Sequence, residues 1–378
     1  MKRSMQKILT THTGSLPRRD ELLPLLMARD QGKPVDEAAF QSRVSEAVRE
    51  IVRKQRDTGI DIVNDGEQGK QNYSTYIKDR LSGFDGEPVS VDPSRDQPEF
   101  PDYAAAFLRG GMRPSGPTCT GPVAWKDFSA VQRDIDNLRA ATAQGVEEAF
   151  MSAVSPGQAA RFMPNRYYKS DEAYLQALAD AMRDEYNAIA RAGFILQIDC
   201  PDLASGWNNQ FRDLTLPQFQ KVVAMHIEVL NHATRDIAPG QMRMHLCWGN
   251  YEGPHNHDIA LRDIIGEVFK ARPAGISFEG ANPRHAHEWQ VFRDVKLPPG
   301  KVLIPGVLDS TTNFVEHPEL VAERIGNYAR LVGRENVIAG TDCGFATSAG
   351  VSAVFPTVAW AKLGAMVAGA RLASEVLW

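Results

Sequence analysis

Short apolar, β-branched segments alternate along the chain with longer stretches in which apolar residues recur every three or four positions. The short segments are Ile8–Thr13, Ile60–Asp65, Phe150–Val154, Phe194–Asp199, Arg243–Cys247, Gly275–Glu279, Val302–Val307 and Val337–Thr341. Their length and side-chain types predict buried strands. A helix is predicted to begin at Asp36, with Phe40, Val44, Val48, Ile51 and Val52 spaced for one buried face. Others are predicted from Ser170 to Ala192, Leu216 to Arg235 and Pro318 to Leu331. Ser170 precedes an acidic turn and Thr215 precedes Pro217, both favourable helix starts.

Eight strands alternating with helices predict a single (β/α)8 TIM barrel over 1–378, an α/β fold whose usual length of about 250 residues leaves room for insertions. A doubly wound open sheet is the alternative, but no glycine-rich fingerprint follows the first strand. The main excursion is Gly83 to Pro117, rich in Pro, Gly and Asp. A hairpin-like Thr118–Trp125 and the helix after it extend the insertion to about 149. Such a segment forms either an active-site wall or a solvated surface loop.

Composition narrows the class. Hydrophobic residues make up 43%, and the formal net charge is −5. A pI near 6.0 argues against nucleic acid or an anionic membrane as partner. The basic start Met1–Met5 has no apolar run behind it, so an export signal is not expected, and Asn72-Tyr73-Ser74 carries little weight as a glycosylation site. Ala353–Ala373 is apolar but holds Pro356, Lys362 and Arg371, which predicts a buried helix rather than a membrane span. A cytoplasmic location is expected. Cys119, Cys200, Cys247 and Cys343 are few and far apart, so reduced thiols are expected rather than a disulfide framework. The oligomeric state is left open.

Reactive side chains gather at the C-terminal ends of the predicted strands: His12 and Ser15, Asp65 and Glu67, Asp199, His245 and Cys247, Glu279, then Asp342 and Cys343. In a barrel those ends converge on one face. Residues two apart on a strand point the same way, so His245 and Cys247 can grip one ion, with Cys343 supplied from another strand end. Zinc suits that nitrogen and sulfur set. A packed histidine beside a buried cysteine is the plain alternative for H-x-C taken alone; Cys343 and Glu279 favour the metal. Trp207 and Trp248 are equally readable as pocket walls or as core. His255 and His257 are expected in a solvated loop, His285 and His287 at a rim or helix start, and His226, His232 and His317 as surface or packing residues of helices.

With these residues identified, the chain resembles the catalytic barrel of cobalamin-independent methionine synthase, and more closely the short single-barrel members such as epoxyalkane:coenzyme M transferase. The resemblance rests on Thr10-Thr11-His12-Thr13-Gly14-Ser15-Leu16-Pro17, Asp65-Gly66-Glu67, Gln197-Ile198-Asp199, His245-Leu246-Cys247, Ser277-Phe278-Glu279, Pro305-Gly306-Val307 and Asp342-Cys343-Gly344. It implies Zn2+ on His245, Cys247 and Cys343, with Glu279 as a displaceable fourth ligand. It also implies that Ser15, Glu67 and Asp199 hold the polar end of a thiol substrate.

Two departures affect the second substrate. Methionine synthases carry Ile-Asp-Glu-Pro where this chain has Ile198-Asp199-Cys200-Pro201. Thr311 stands where they carry the histidine thought to protonate the departing folate amine. The family's second barrel is also absent from the sequence. The expectation is therefore a thiol alkyltransferase joining a coenzyme M-like thiol to an epoxide or similar small electrophile, with His12 as a substitute acid. The alternatives are methionine formation from homocysteine and methyl-folate, a purely structural zinc, and a metal-free decarboxylase on the related uroporphyrinogen decarboxylase barrel.

Overall fold

The computed structural model describes residues 1–90, 92–109 and 115–378, so Val91 and 110–114 of the excursion lie outside the described residues. The strands are β1 (Leu9–Thr10), β2 (Ile62–Val63), β3 (Pro88–Ser90), β4 (Ser115–Pro117), β5 (Glu148–Val154), β6 (Ile195–Asp199), β7 (Met242–Leu246), β8 (Gly275–Phe278), β9 (Val302–Leu308) and β10 (Ile338–Thr341). Eight form one sheet in the order β1-β10-β9-β8-β7-β6-β5-β2, with parallel pairing throughout. β1 and β2 meet through side chains: the Thr10 amide donates to Asp61 Oδ2 at 2.9 Å, and Thr11 Oγ1 donates to the Ile62 carbonyl at 3.1 Å. Those contacts bring the sheet round into the expected (β/α)8 barrel, surrounded by helices.

The helices begin and end where local chemistry dictates. Asp36 accepts from the Ala39 amide at 3.1 Å and starts Glu37–Thr58; Gly59, at φ 95°, stops it. Ser170 accepts from the Ala173 amide and starts Asp171–Arg191. Thr215 and Gln218 form a capping box before Leu216–Ala233. The apolar late stretch is the helix Pro356–Leu377, and no helix among the described residues is long and apolar enough to cross a membrane.

Two details depart from the sequence reading. The hairpin of the excursion is the antiparallel pair β3 and β4, not Thr118–Trp125, which contains no strand. The helix Ser129–Thr142 packs on Glu37–Thr58, where Ser45 Oγ donates to Asn137 Oδ1 at 2.5 Å. It therefore takes the crossover position between β2 and β5 rather than belonging to the insertion. Both errors share a cause: turn residues and amphipathic spacing reveal an element but not the surface it packs on.

The barrel interior changes character along its axis. Leu9, Ile62, Phe150, Ile195, Val302, Ile304 and Ile338 form an apolar plug, separate from the core beneath the helices. Above it Arg243 is 1% exposed, with its guanidinium 3.5 Å from the Phe150 ring centroid. Its nitrogens donate to Gln197 Oε1 (2.7 Å), Thr11 Oγ1 (2.9 Å) and the His12 carbonyl (2.8 Å). A polar layer so tied is costly to break, because each orphaned buried acceptor costs ~1–3 kcal/mol. Arg243→Met should lower unfolding stability by about 3 kcal/mol or more in a urea titration. An unchanged midpoint would show that the layer does not hold the barrel.

Candidate active site and metal centre

Strand periodicity places Arg243, His245 and Cys247 on one line, with the apolar plug below and a cavity above. Asp199 on β6 lies beside His245, and His245 beside Ser277 on β8. His245 Nδ1 meets Ser277 Oγ at 3.1 Å, while its Nε2 is buried with no hydrogen-bond partner. Burial, and then Arg243, hold this imidazole down to about 3, so it is neutral at ordinary pH. Cys247 Sγ lies 3.7 Å from Cys343 Sγ, and the ligand atoms of His245, Cys247 and Cys343 all fall within 4.8 Å of one another. An orphaned imidazole nitrogen facing two buried thiols is the donor set that a borderline-soft ion such as zinc takes. With Ser277 engaging Nδ1, the geometry leaves Nε2 as the free donor.

Glu279 stands at the end of β8 outside that group of three. Its Oε1 accepts from the Trp248 amide at 2.6 Å and its Oε2 from Asn282 Nδ2 at 2.7 Å. Burial and the neighbouring Cys247 thiol push its carboxyl well above the usual range. Beneath it, Asp342 accepts from the Gly280, Ala281 and Asn282 amides at 2.7 to 2.8 Å, fixing the loop that follows Glu279. This accounts for two sequence motifs. A Cβ on Gly306 would stand 2.0 Å from Asp342 Oδ1, and one on Gly344 would stand 2.0 Å from Ser15 Oγ. Glycine makes room there for the polar groups of the site.

The cavity above these residues measures about 650 Å³ and is lined by Ser15, Glu67, Asp199, His245, Cys247 and Cys343. Glu67 Oε1 accepts from Ser152 Oγ at 2.7 Å, while its Oε2 is buried without a partner. Asp199 accepts from Gln197 Nε2 at 2.8 Å. Burial, and then the Glu67 charge, push its carboxyl well up. Two buried carboxylates thus share one end of the cavity.

Other expected residues lie elsewhere. His12 is 2% exposed, with Nε2 2.8 Å from Gln55 Oε1 and Nδ1 accepting from the Gly14 amide at 3.2 Å. Both nitrogens are therefore engaged behind the cavity wall. Trp248 packs on His285 (centroids 4.3 Å apart) and donates to the Ile259 carbonyl. Trp207 lies against Phe219 and under Arg95. Neither tryptophan is among the residues lining the cavity. Thr311 Oγ1 donates to Asp309 at 2.8 Å and likewise does not line it. His255 is 8% exposed rather than solvated, bonded to Asp258, which also meets His285. His257 meets Glu99 of the excursion at 2.6 Å.

The wall also takes in the excursion and a residue to which no motif assigned a role in the site. Tyr73 lines the cavity and accepts from Gln158 Nε2 at 2.8 Å, which leaves its own O–H proton free to donate. Burial, and then the Cys247 thiol, push this phenol well above its usual range, so it stays protonated. Only its place just after Asp65-Gly66-Glu67 hinted at this. The excursion supplies Pro88, Tyr103, Gly116 and Pro117 to the wall. Asp96, 1% exposed, pins it by accepting from Asn208 Nδ2 and from the Asn256 and His257 amides. Of the two roles left open for the excursion, the wall is the one observed.

Comparison with known proteins agrees with this architecture. Residues 160–371 match the family model described as cobalamin-independent synthase, catalytic domain. A methionine synthase of Thermococcus kodakarensis is 23% identical over 97% of this chain and 94% of its own length. The 2-hydroxypropyl-CoM lyase of Xanthobacter autotrophicus is 24% identical over 83% of this chain and 82% of its own. Among solved structures, a B12-independent methionine synthase from Shewanella, in complex with selenomethionine, superposes with a TM-score of 0.73. It is 20% identical and covers 98% of this chain and 99% of its own.

The buried His12 makes a pH signature. Burial lowers it from 6.5 to about 4 in the folded chain. The unfolded chain therefore binds the extra proton first, and stability attributable to His12 falls as pH drops from 6.5 to 4 and is level below that. The loss amounts to about 3 kcal/mol. Urea unfolding of His12→Gln should be flatter than the unmodified protein by that amount across this window. Parallel pH profiles would show that His12 takes up its proton in the folded chain as readily as in the unfolded one.

Proposed function

The chain belongs to the cobalamin-independent synthase catalytic-domain family, and from that premise we propose that it is a zinc-dependent transferase that alkylates the sulfur of a small, amine-bearing thiol of the homocysteine class. The observation that carries this reading is the pair Glu67 and Asp199, buried in the same cavity as His245, Cys247 and Cys343. A substrate ammonium would satisfy the orphaned Glu67 Oε2 and relieve the repulsion between the two carboxylates. The sulfonate of a coenzyme M-like thiol would meet the Glu67 charge as a like charge, so the amino-acid thiol is the one preferred here.

His245, Cys247 and Cys343 would hold the metal, with Glu279 as the displaceable fourth group. Bound there, zinc supplies the positive charge that keeps a coordinating thiol deprotonated at neutral pH. The chain's own residues do the remainder. Ser15, Glu67 and Asp199 orient the amino-acid end, so that the sulfur points toward the cysteines. The excursion and Tyr251 wall the cavity against water. Sulfur forms its bond to carbon as the bond from carbon to the leaving atom breaks, and that atom takes the Tyr73 phenolic proton. A second reading, epoxide opening by the same thiolate, is favoured by Thr311. Tied to Asp309 outside the cavity, it cannot replace a histidine acid, and a strained ring demands less of one than a folate amine.

Metal analysis of the purified protein should find one zinc per chain, lost in Cys247→Ser and Cys343→Ser while circular dichroism stays that of a folded barrel. Full zinc in both variants would end this assignment. Glu67→Gln should raise KM for homocysteine with a smaller effect on kcat. Tyr73→Phe should lower kcat by ~10² to 10⁴-fold, the range of general acid catalysis. A Tyr73→Phe enzyme of unchanged kcat would show that the proton comes from elsewhere.

A further inference from the structure

Two lysine or arginine side chains are among the described residues lining the cavity, Lys78 and Arg161. Lys78 is committed to Asp30 at 3.0 Å and to Asp79 at 3.3 Å. Arg161 has no carboxylate oxygen within 4.0 Å among the described residues. Its partners are neutral amides: Nη1 donates to Gln158 Oε1 at 3.3 Å and Nη2 to Asn209 Oδ1 at 2.8 Å. Its Nε is buried and has no partner. Asp202, the one carboxylate whose charge bears on it, is already held by His226 Nδ1 at 2.8 Å and by Ser155 Oγ at 2.7 Å. Desolvation bears on this cation and holds it below its usual range, with partial relief from Tyr73, Asp202, Cys247 and Tyr251. The side chain as a whole is half-buried; drawing a charge out of water without a counter-ion is costly, and a guanidinium with an idle Nε has the fork that an oxyanion fills.

Position within the cavity indicates which substrate brings that anion. Gln158 bridges Arg161 to Tyr73, its oxygen accepting from the guanidinium and its amide donating to the phenol. Arg161 thus stands next to the proton donor through a shared amide, whereas Glu67 and Asp199 are the carboxyl groups suited to an ammonium. We propose that Arg161, with Asn209, forms a subsite for an oxyanion carried by the alkyl donor, a carboxylate or a phosphate placed so that the donor's leaving atom lies at Tyr73. This rests on the transferase reading above and gives its second substrate a charge. Neutral donors should be poor substrates, and anionic ones should bind through one guanidinium.

Calorimetric titration of the full-length, zinc-loaded protein with glutarate and with inorganic phosphate, at low ionic strength, tests the subsite without turnover. One of the two should bind saturably, one per chain, and the tighter of them identifies the anion as carboxylate or phosphate. Arg161→Gln should weaken that binding by at least ~10-fold and Arg161→Lys by less, since an ammonium keeps the charge but not the fork. Saturating L-methionine, which occupies the amino-acid side, should leave the anion's affinity unchanged. Absence of binding by either anion, or equal affinity in the unmodified protein and Arg161→Gln, would overturn the subsite; mutual exclusion with methionine would overturn its assignment to the donor. Should Arg161→Gln fail to fold, the loss in Arg161→Lys decides the same question. The zinc content is measured separately, so a chain without zinc that still binds the anion through Arg161 fails the transferase reading and not the subsite.

Discussion

A guanidinium inside a closed barrel needs a fixed partner for each of its nitrogens, and Arg243 meets that demand by linking β7 to Gln197 on β6 and to the residues that follow β1. The ring of Phe150 beneath it seals the apolar plug. That one buried cation divides the barrel into a dry lower half and a polar upper half. It also sets the line on which His245 and Cys247 must point upward, because strand periodicity leaves them no other face. Its charge adds to burial in keeping the His245 imidazole neutral, the state in which a histidine can be a metal ligand.

From that layer upward, each motif at a strand end supports another rather than acting alone. Asp342 organises the loop after Glu279 through three amides, Gly306 clears the space Asp342 needs, and Gly344 clears the space for Ser15. Ser277 fixes the His245 ring, and Glu279 receives the amide next to Cys247. Remote stretches of sequence are therefore joined by steric and hydrogen-bond requirements on a single rim. The consequence is a preformed set of donors whose orientation does not depend on a ligand arriving.

The cavity above divides by charge. Glu67 and Asp199 lie together, a guanidinium hydrogen-bonded only to amides lines the same cavity, and a phenol with a free proton connects to it through Gln158. The excursion roofs this arrangement, anchored by Asp96, which takes three donors from the loops after β6 and β7. A wall so fixed narrows the access of solvent, and electrostatic contacts strengthen as water is displaced.

The sequence by itself determined the barrel, because eight short apolar segments separated by amphipathic ones leave few other ways to bury both faces of a parallel sheet. It also determined the convergence of His245, Cys247 and Cys343, since strand ends in such a barrel share a rim and residues two apart share a face. Tertiary structure decided what local pattern cannot encode. His12 ends a strand like the others, yet Gln55, from a helix far along the chain, claims its ring and removes it from the cavity. Trp207 and Trp248 have the aromatic surface of pocket walls but pack into the core, because burial depends on which elements face them. Tyr73 and Arg161 carry no catalytic motif, and the excursion's composition left two roles open. Their roles arise from which groups meet across the barrel mouth and which polar atoms are left without partners there, and those are properties of the assembled space rather than of any segment.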